Sequence, residues 1–231
     1  MNMTTSEPAQ VSTLAELLDR RWTCRQFHPD QVPHTDIERL LELAQQTPSW
    51  CNTQPWQVIV TEGAATDRFR TELLSHIQAG GEAQPDFPFP AEYTGIYRDR
   101  RRACGLQLYD SVGIGKGDPR TLTQALRNFE FFDAPHVALI TTEADLGVYG
   151  AVDCGLYTST FLMAAQSLGI AAAPQAALAS YGPFVHNYFG IPESRRVLLG
   201  ISFGYADLDH PINSFRTARE TVPNVVTWQR D

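Results

Sequence analysis

Between Tyr149 and Leu168 runs a long segment whose only ionised side chain is Asp153. Its length would let a helix cross a bilayer, but Gly150, Asp153, Gly155, Thr158, Ser159, Thr160 and Gln166 make it too polar for one. A helix of this composition has to be covered by protein on all sides, in a core or at a subunit interface. Small residues at Ala151, Gly155, Ser159 and Ala164 would let a second helix approach it closely. The chain has to supply that cover. Its 231 residues, 43% hydrophobic and 19% charged, suffice for one globular domain of residues 12–231, with residues 1–11 as a loose arm.

The remaining segments alternate between helical and strand patterns. Thr13 and Glu16 have capping-box spacing ahead of an apolar stripe at Leu14, Leu17 and Leu18. Thr35 and Glu38 repeat that spacing, Ile37, Leu40, Leu41 and Ala44 share one helical face, and Pro48 stops the helix. Further helices are expected over 67–77, 95–112, 121–129 and 183–189. Strands are expected over 56–61, the first of them buried, 136–142, 170–173 and 197–203. Gly80 to Pro90, with three prolines and two glycines, reads as a loop, and residues 207–231 as an extended tail.

Two short stretches carry the chemistry. In RRWTCRQF, Arg20 to Phe27, the side chains of Arg21, Thr23 and Arg25 alternate. An extended backbone sends all three to one side, where they can converge on a doubly charged phosphate. In PSWCNTQPW, Pro48 to Trp56, amide and hydroxyl groups crowd a loop just after a helix. Such a loop can hydrogen-bond the edge of a planar heterocycle while its apolar residues stack against the ring. Lys116 is the only lysine, so the number of arginines says little and their spacing says more.

The two stretches, at this separation, resemble the opening of the FMN-dependent nitroreductase family: an Arg-Arg/His-Ser/Thr-x-Arg/Lys-x-Phe run, then a Pro-Ser-x-x-Asn-x-Gln-Pro-Trp loop. The resemblance implies an α+β fold with a central mixed sheet flanked by helices and FMN at a homodimer interface. It implies that Arg21, Thr23 and Arg25 hold the FMN phosphate. Arg219 and Arg216 would return to it from the closing segment Asn213 to Trp228. Pro48, Ser49, Trp50, Asn52 and Gln54 would reach the ring or ribityl chain across the interface. Asn128, or Arg127 if the alignment slips by one, would bond the flavin. Gln175, Ala176 and Ala177 would bring backbone amides to its N5 edge. Residues 80–125 would cover the flavin, with Tyr97, Arg98 and Arg101 facing substrate, although a plain solvated helix face is the favoured reading of that basic run. The sequence departs from the family in Trp22 and Cys24, and in Trp50 and Cys51, where small or hydroxyl residues are usual.

No side chain is expected to act as a catalyst, because a bound flavin carries the chemistry. The implied activity is ping-pong reduction of electron-poor acceptors, nitroaromatics or quinones, by NAD(P)H. A reductive dehalogenase, a reductase of other unsaturated acceptors, and a non-catalytic FMN-binding or sensing module are the alternatives. A net charge of −8 argues against nucleic acid or an anionic membrane as partner. Cys24, Cys51, Cys104 and Cys154 form no Cys-x-x-Cys pair, and the six histidines lack ligand spacing, so neither a disulfide framework nor a metal site is expected. Gly113, Gly115 and Gly117 lack dinucleotide-loop spacing, and Ser180 lacks a Gly-x-Ser-x-Gly elbow. With no basic-then-apolar leader pattern at its start, the chain is expected to be cytoplasmic.

Overall fold

A computed structural model of the chain describes residues 13–230, so the arm expected at 1–11 lies outside the described residues. The helices are α1 (Leu14–Arg20), α2 (His34–Ala44), α3 (Ala64–Gln78), α4 (Gly95–Asp110), α5 (Arg120–Leu126), α6 (Gly147–Ser167) and α7 (Gly182–Phe189). The strands are β1 (Gln57–Thr61), β2 (His136–Glu143), β3 (Ala171–Gln175) and β4 (Arg195–Gly204), in the spatial order β1-β2-β4-β3. Neighbouring strands run antiparallel. A parallel bridge from Thr23 to Ala172 on the outer edge of β3 makes the sheet mixed.

β2 is buried from His136 to Thr142 because both faces of the sheet are covered, and a strand so placed reads as a continuous apolar run. Alternation along β2 divides the core. Ala138 and Ile140 join Ile37 and Leu40 of α2, Tyr157 and Phe161 of α6, and Ile201 and Phe203 of β4. Val137 and Leu139 join Phe69 and Leu73 of α3, Phe131, Val185 of α7 and Val197 of β4. Helix α6 packs on α2, on β2 and β3, and on α1. Among the described residues its cover is incomplete: Val148, Tyr149, Val152 and Leu156 remain 68%, 58%, 53% and 45% exposed, along one stripe. No described helix is long and apolar enough to cross a membrane.

Three expectations need correction. The second capping box does not form: Pro33 occupies the N-cap position of α2 without a side-chain bond, and Thr35 lies inside the helix. His34 begins that helix with its ring 3.0 Å from Glu62, a partner remote in sequence that local spacing cannot reveal. The first strand is half-buried rather than buried, since β1 is an edge strand pairing only with β2. The third strand runs on through Pro174 to Gln175; an edge strand tolerates a residue without an N–H.

Candidate functional site

Helix α1 ends where Arg21 turns into extended backbone at φ −69° and ψ 129°. The segment then bridges β3 at Thr23, so Arg21, Thr23 and Arg25 leave on one side and Cys24 goes into the core on the other. Asn213 joins the tail to this segment. Its Oδ1 accepts the backbone N–H of Arg25 at 2.9 Å, and its Nδ2 donates to the carbonyls of Gln26 at 2.8 Å and Asp207 at 2.6 Å. Asn213 thereby sets residues 215–219 over a cavity of about 340 Å³ lined by Arg21, Thr23, Arg25, Arg216, Thr217 and Arg219.

That cavity has the electrostatics of an anion site. None of its four arginines forms an ion pair among the described residues, and the only acid in the lining, Asp19, pairs with none of them. Arg216 lies over the Trp22 ring at 4.2 Å, and Arg219 donates to the Thr217 hydroxyl at 2.6 Å. Burial lowers the pKa of Arg25, and burial together with the charge of Arg219 lowers that of Arg21. Both shifts report charge held out of water without a counter-ion. Burial pushes the Cys24 thiol up to about 12, so it supplies no anion of its own.

Residues 217–219 separate this cavity from a second, of about 540 Å³, whose far wall is Arg100, Ala103, Cys104 and Gln107 of α4. Arg100 pairs with Glu220 at 2.7 Å. Tyr97, Arg98 and Arg101 are exposed and line neither cavity. Arg98 lies 3.5 Å from Asp99, and Arg101 stands over the Tyr93 ring at 5.1 Å. Sequence reasoning missed Arg100 and Gln107, although 100, 103, 104 and 107 are one helical face by spacing alone.

In the loop of Pro48, Ser49, Trp50, Asn52 and Gln54 the Asn52 and Gln54 side chains are exposed and Ser49 is half-buried. Cys51, Asn52 and Gln54 hold φ of 52°, 56° and 46°. Left-handed geometry at a residue other than glycine costs about 1–3 kcal/mol and persists only where neighbours hold it. Here the Gln54 N–H donates to the Ser49 hydroxyl at 2.9 Å, the Gln45 amide donates to Gln54 Oε1 at 3.0 Å, and the Trp50 N–H donates to Asp153. The Trp50 ring, 62% exposed, sits 4.7 Å from that of Tyr149.

Asn128 and Gln175 do meet: the Gln175 amide donates to the Asn128 backbone carbonyl at 2.9 Å, and the Ser202 hydroxyl donates to Gln175. Ala176 and Ala177 begin the short turn that follows. Arg127, the alternative to Asn128, is engaged by Glu130 and by Asp133 at 2.7 Å. Beside it Phe131, Phe132 and Asp133 form a second left-handed run.

The arginine cavity and the Pro48–Gln54 loop do not share a cavity within one chain. The loop is tied to Asp153 in the first half of α6, whereas Thr23 bridges Ala172 beyond the other end of that helix. At 1.5 Å per residue the helix between those anchors spans roughly 20 Å. Among the described residues no cluster of His, Cys, Asp and Glu could hold a metal ion.

A family model described as "Nitroreductase family" matches residues 18–205. Nitroreductase NfnB of Mycolicibacterium smegmatis is 36% identical over 93% of this chain and 92% of that protein. A 4-nitrobenzoate reductase of Nocardioides sp. is 32% identical over 91% and 87%. The crystal structure of FMN-dependent NfnB from Mycobacterium smegmatis in complex with NADPH superposes with a TM-score of 0.88 at 34% identity. That superposition covers 94% of this chain and 100% of the other.

If the four arginines form an anion site, inorganic phosphate alone should stabilise the protein. A ligand at a hundred times its Kd adds about 2.7 kcal/mol to folding stability. Thermal melts against phosphate should rise for the parent and stay flat for Arg25→Ala; equal responses would remove Arg25 from the site.

Proposed function

The chain belongs to the nitroreductase family, and from that premise we propose that it is an FMN-dependent NAD(P)H oxidoreductase that reduces electron-poor acceptors such as nitroaromatics and quinones. One observation carries the reading: four arginines without ion-pair partners around a single cavity, at the positions where the family resemblance expects the FMN phosphate. The residues fit that group. Guanidinium forks and a threonine hydroxyl suit a phosphate dianion, and the cavity volume exceeds what a phosphate needs. When bound, FMN supplies the hydride chemistry, accepting from NAD(P)H and delivering to the acceptor.

The protein's contribution is to bind, orient and exclude. Arg21, Thr23, Arg25, Arg216 and Arg219 anchor one end of the cofactor. The exposed amides of Asn52 and Gln54 and the ring of Trp50 serve the other end, from a second copy of the chain. Two facts support a homodimer. The two halves of the site lie at opposite ends of α6, and the stripe from Val148 to Leu156 leaves apolar surface that the described residues do not cover. Among acceptors, relatives named 4-nitrobenzoate reductase support nitroarenes that carry a carboxylate, which Arg100 would receive only by giving up its pair with Glu220.

The protein should purify yellow, and Arg21→Ala should lose most of its FMN. One charge-assisted hydrogen bond contributes about 2 kcal/mol, or roughly thirtyfold in Kd. Fluorescence titration giving equal affinities would remove Arg21 from the phosphate site. Steady-state rates should give parallel double-reciprocal lines as the acceptor is varied, because donor and acceptor use one slot in turn. Intersecting lines would require both substrates bound together, and failure of NAD(P)H to bleach the colour would leave only an FMN-binding module. In sedimentation equilibrium the FMN-loaded protein should be a dimer; a stable FMN-loaded monomer of 25.7 kDa would exclude the shared site.

A further inference from the structure

Asp153 is the only ionised side chain of α6, and it is 4% exposed. Both of its carboxylate oxygens stand 3.2 Å from the backbone nitrogen of Trp50. Among the described residues no other hydrogen bond and no ion pair reaches it. A buried carboxylate with a single N–H donor is a poor way to stabilise a helix, since the group sheds its hydration and recovers little. What it does hold is the leading end of the Pro48–Gln54 loop.

The far end is held as well. Arg195 Nη2 donates to the Pro55 carbonyl at 3.1 Å, but Arg195 also binds Thr141 and Glu143 and so belongs to the sheet. Between the two anchors lie the left-handed residues Cys51, Asn52 and Gln54. One turn before Asp153, Tyr149 carries the Trp50 ring. The carboxylate and the phenol ring thus give Trp50 a two-point seat, one point for its backbone and one for its indole.

We propose that Asp153 is a positioning residue for the reaction: by accepting the Trp50 N–H it fixes the leading end of the left-handed run Cys51, Asn52 and Gln54, whose other end Ser49 and Gln45 hold at Gln54, so that the Asn52 and Gln54 amides are presented to the flavin. This assignment rests on the FMN reading above. Freed at its leading end, the loop relaxes toward ordinary backbone geometry and those amides turn away.

Asp153→Leu separates this role from support of the fold. Leucine fills a similar volume without a buried charge, so global stability should hold or rise. Hydrogen exchange in a peptide spanning 48–56 should nonetheless become about tenfold faster, and FMN should bind about tenfold more weakly. With FMN saturating, the visible circular dichroism of the flavin should change and KM for the acceptor should rise more than kcat falls. Asp153→Asn keeps an acceptor for the Trp50 N–H and should stay within about threefold of the parent on each measure. Parent-like loop exchange in Asp153→Leu would overturn the proposal, as would equal losses in Asp153→Asn and Asp153→Leu. Faster exchange spread evenly along α6 and β2 would also overturn it, because it would mean a structural role. If Asp153→Leu does not fold, Asp153→Ala carries the same comparison. If the parent binds no FMN the functional reading fails, and loop exchange alone still decides whether Asp153 is the anchor.

Discussion

Helix α6 sets the spacing on which everything else in this molecule depends. Its buried face, through Tyr157, Phe161 and Ala165, fixes the sheet on one side and α2 on the other. Its first half carries the anchor of one polar loop, and the turn after its last residue delivers β3 to the segment that bears the arginines. A rigid rod of this length cannot bring its two ends together. Two clusters of ligand-binding character held at opposite ends of it serve one extended ligand only if a second molecule supplies the complementary half. The uncovered stripe on the same helix is where such a molecule would lie. The proposed site and the proposed association therefore trace to one packing decision.

Both halves are destabilised by what suits them to bind. The arginine cavity holds charge out of water: burial lowers the pKa of Arg25, and burial together with the charge of Arg219 lowers that of Arg21. The loop holds left-handed backbone at residues that disfavour it. Among the described residues the arginines have no carboxylate partners, while the loop is held by bonds of its own, the Gln54 amide accepting from Gln45 and donating to Asn52. The core offsets the burden. β2 is closed on both faces, and the Asn213 side chain makes three hydrogen bonds to backbone groups so that the tail cannot drift from the cavity.

Which parts of this were visible in the sequence follows from how local each determinant is. The alternation of Arg21, Thr23 and Arg25 needs only an extended backbone, and the structure gives it one. The run from Tyr149 to Leu168, with Asp153 as its single charge, was legible as a helix that needs cover, and the described residues cover only part of it. Arg100 and Gln107 were legible by helical spacing but were eclipsed by the denser charge at Arg98 and Arg101. Other features rest on partners far apart in the chain. Asn213 meets Arg25, Asp153 meets Trp50 and Arg195 meets Pro55, and no spacing rule links these pairs. The capping box expected at Thr35 does not form because the helix starts earlier, with Pro33 at the N-cap and His34 as its first residue. The half-burial of β1 depended on strand order, which the pattern of a single strand does not carry.

The division of the site has a thermodynamic consequence for the proposed oxidoreductase. A ligand whose phosphate is held by one chain and whose ring is flanked by another binds the assembled state and not the separated one, so occupancy and assembly favour each other by the same free energy. Residues that preorganise either half shift that shared equilibrium without touching the ligand. Asn213 does so for the phosphate end by fixing the tail, and Asp153 for the ring end by fixing the loop. The two lie on different elements and act on different halves, so their effects on ligand affinity should add unless the assembled site couples them. A double-mutant cycle between them would then read the coupling across the interface itself, because within one chain the helix that separates their half-sites leaves them no shared contact.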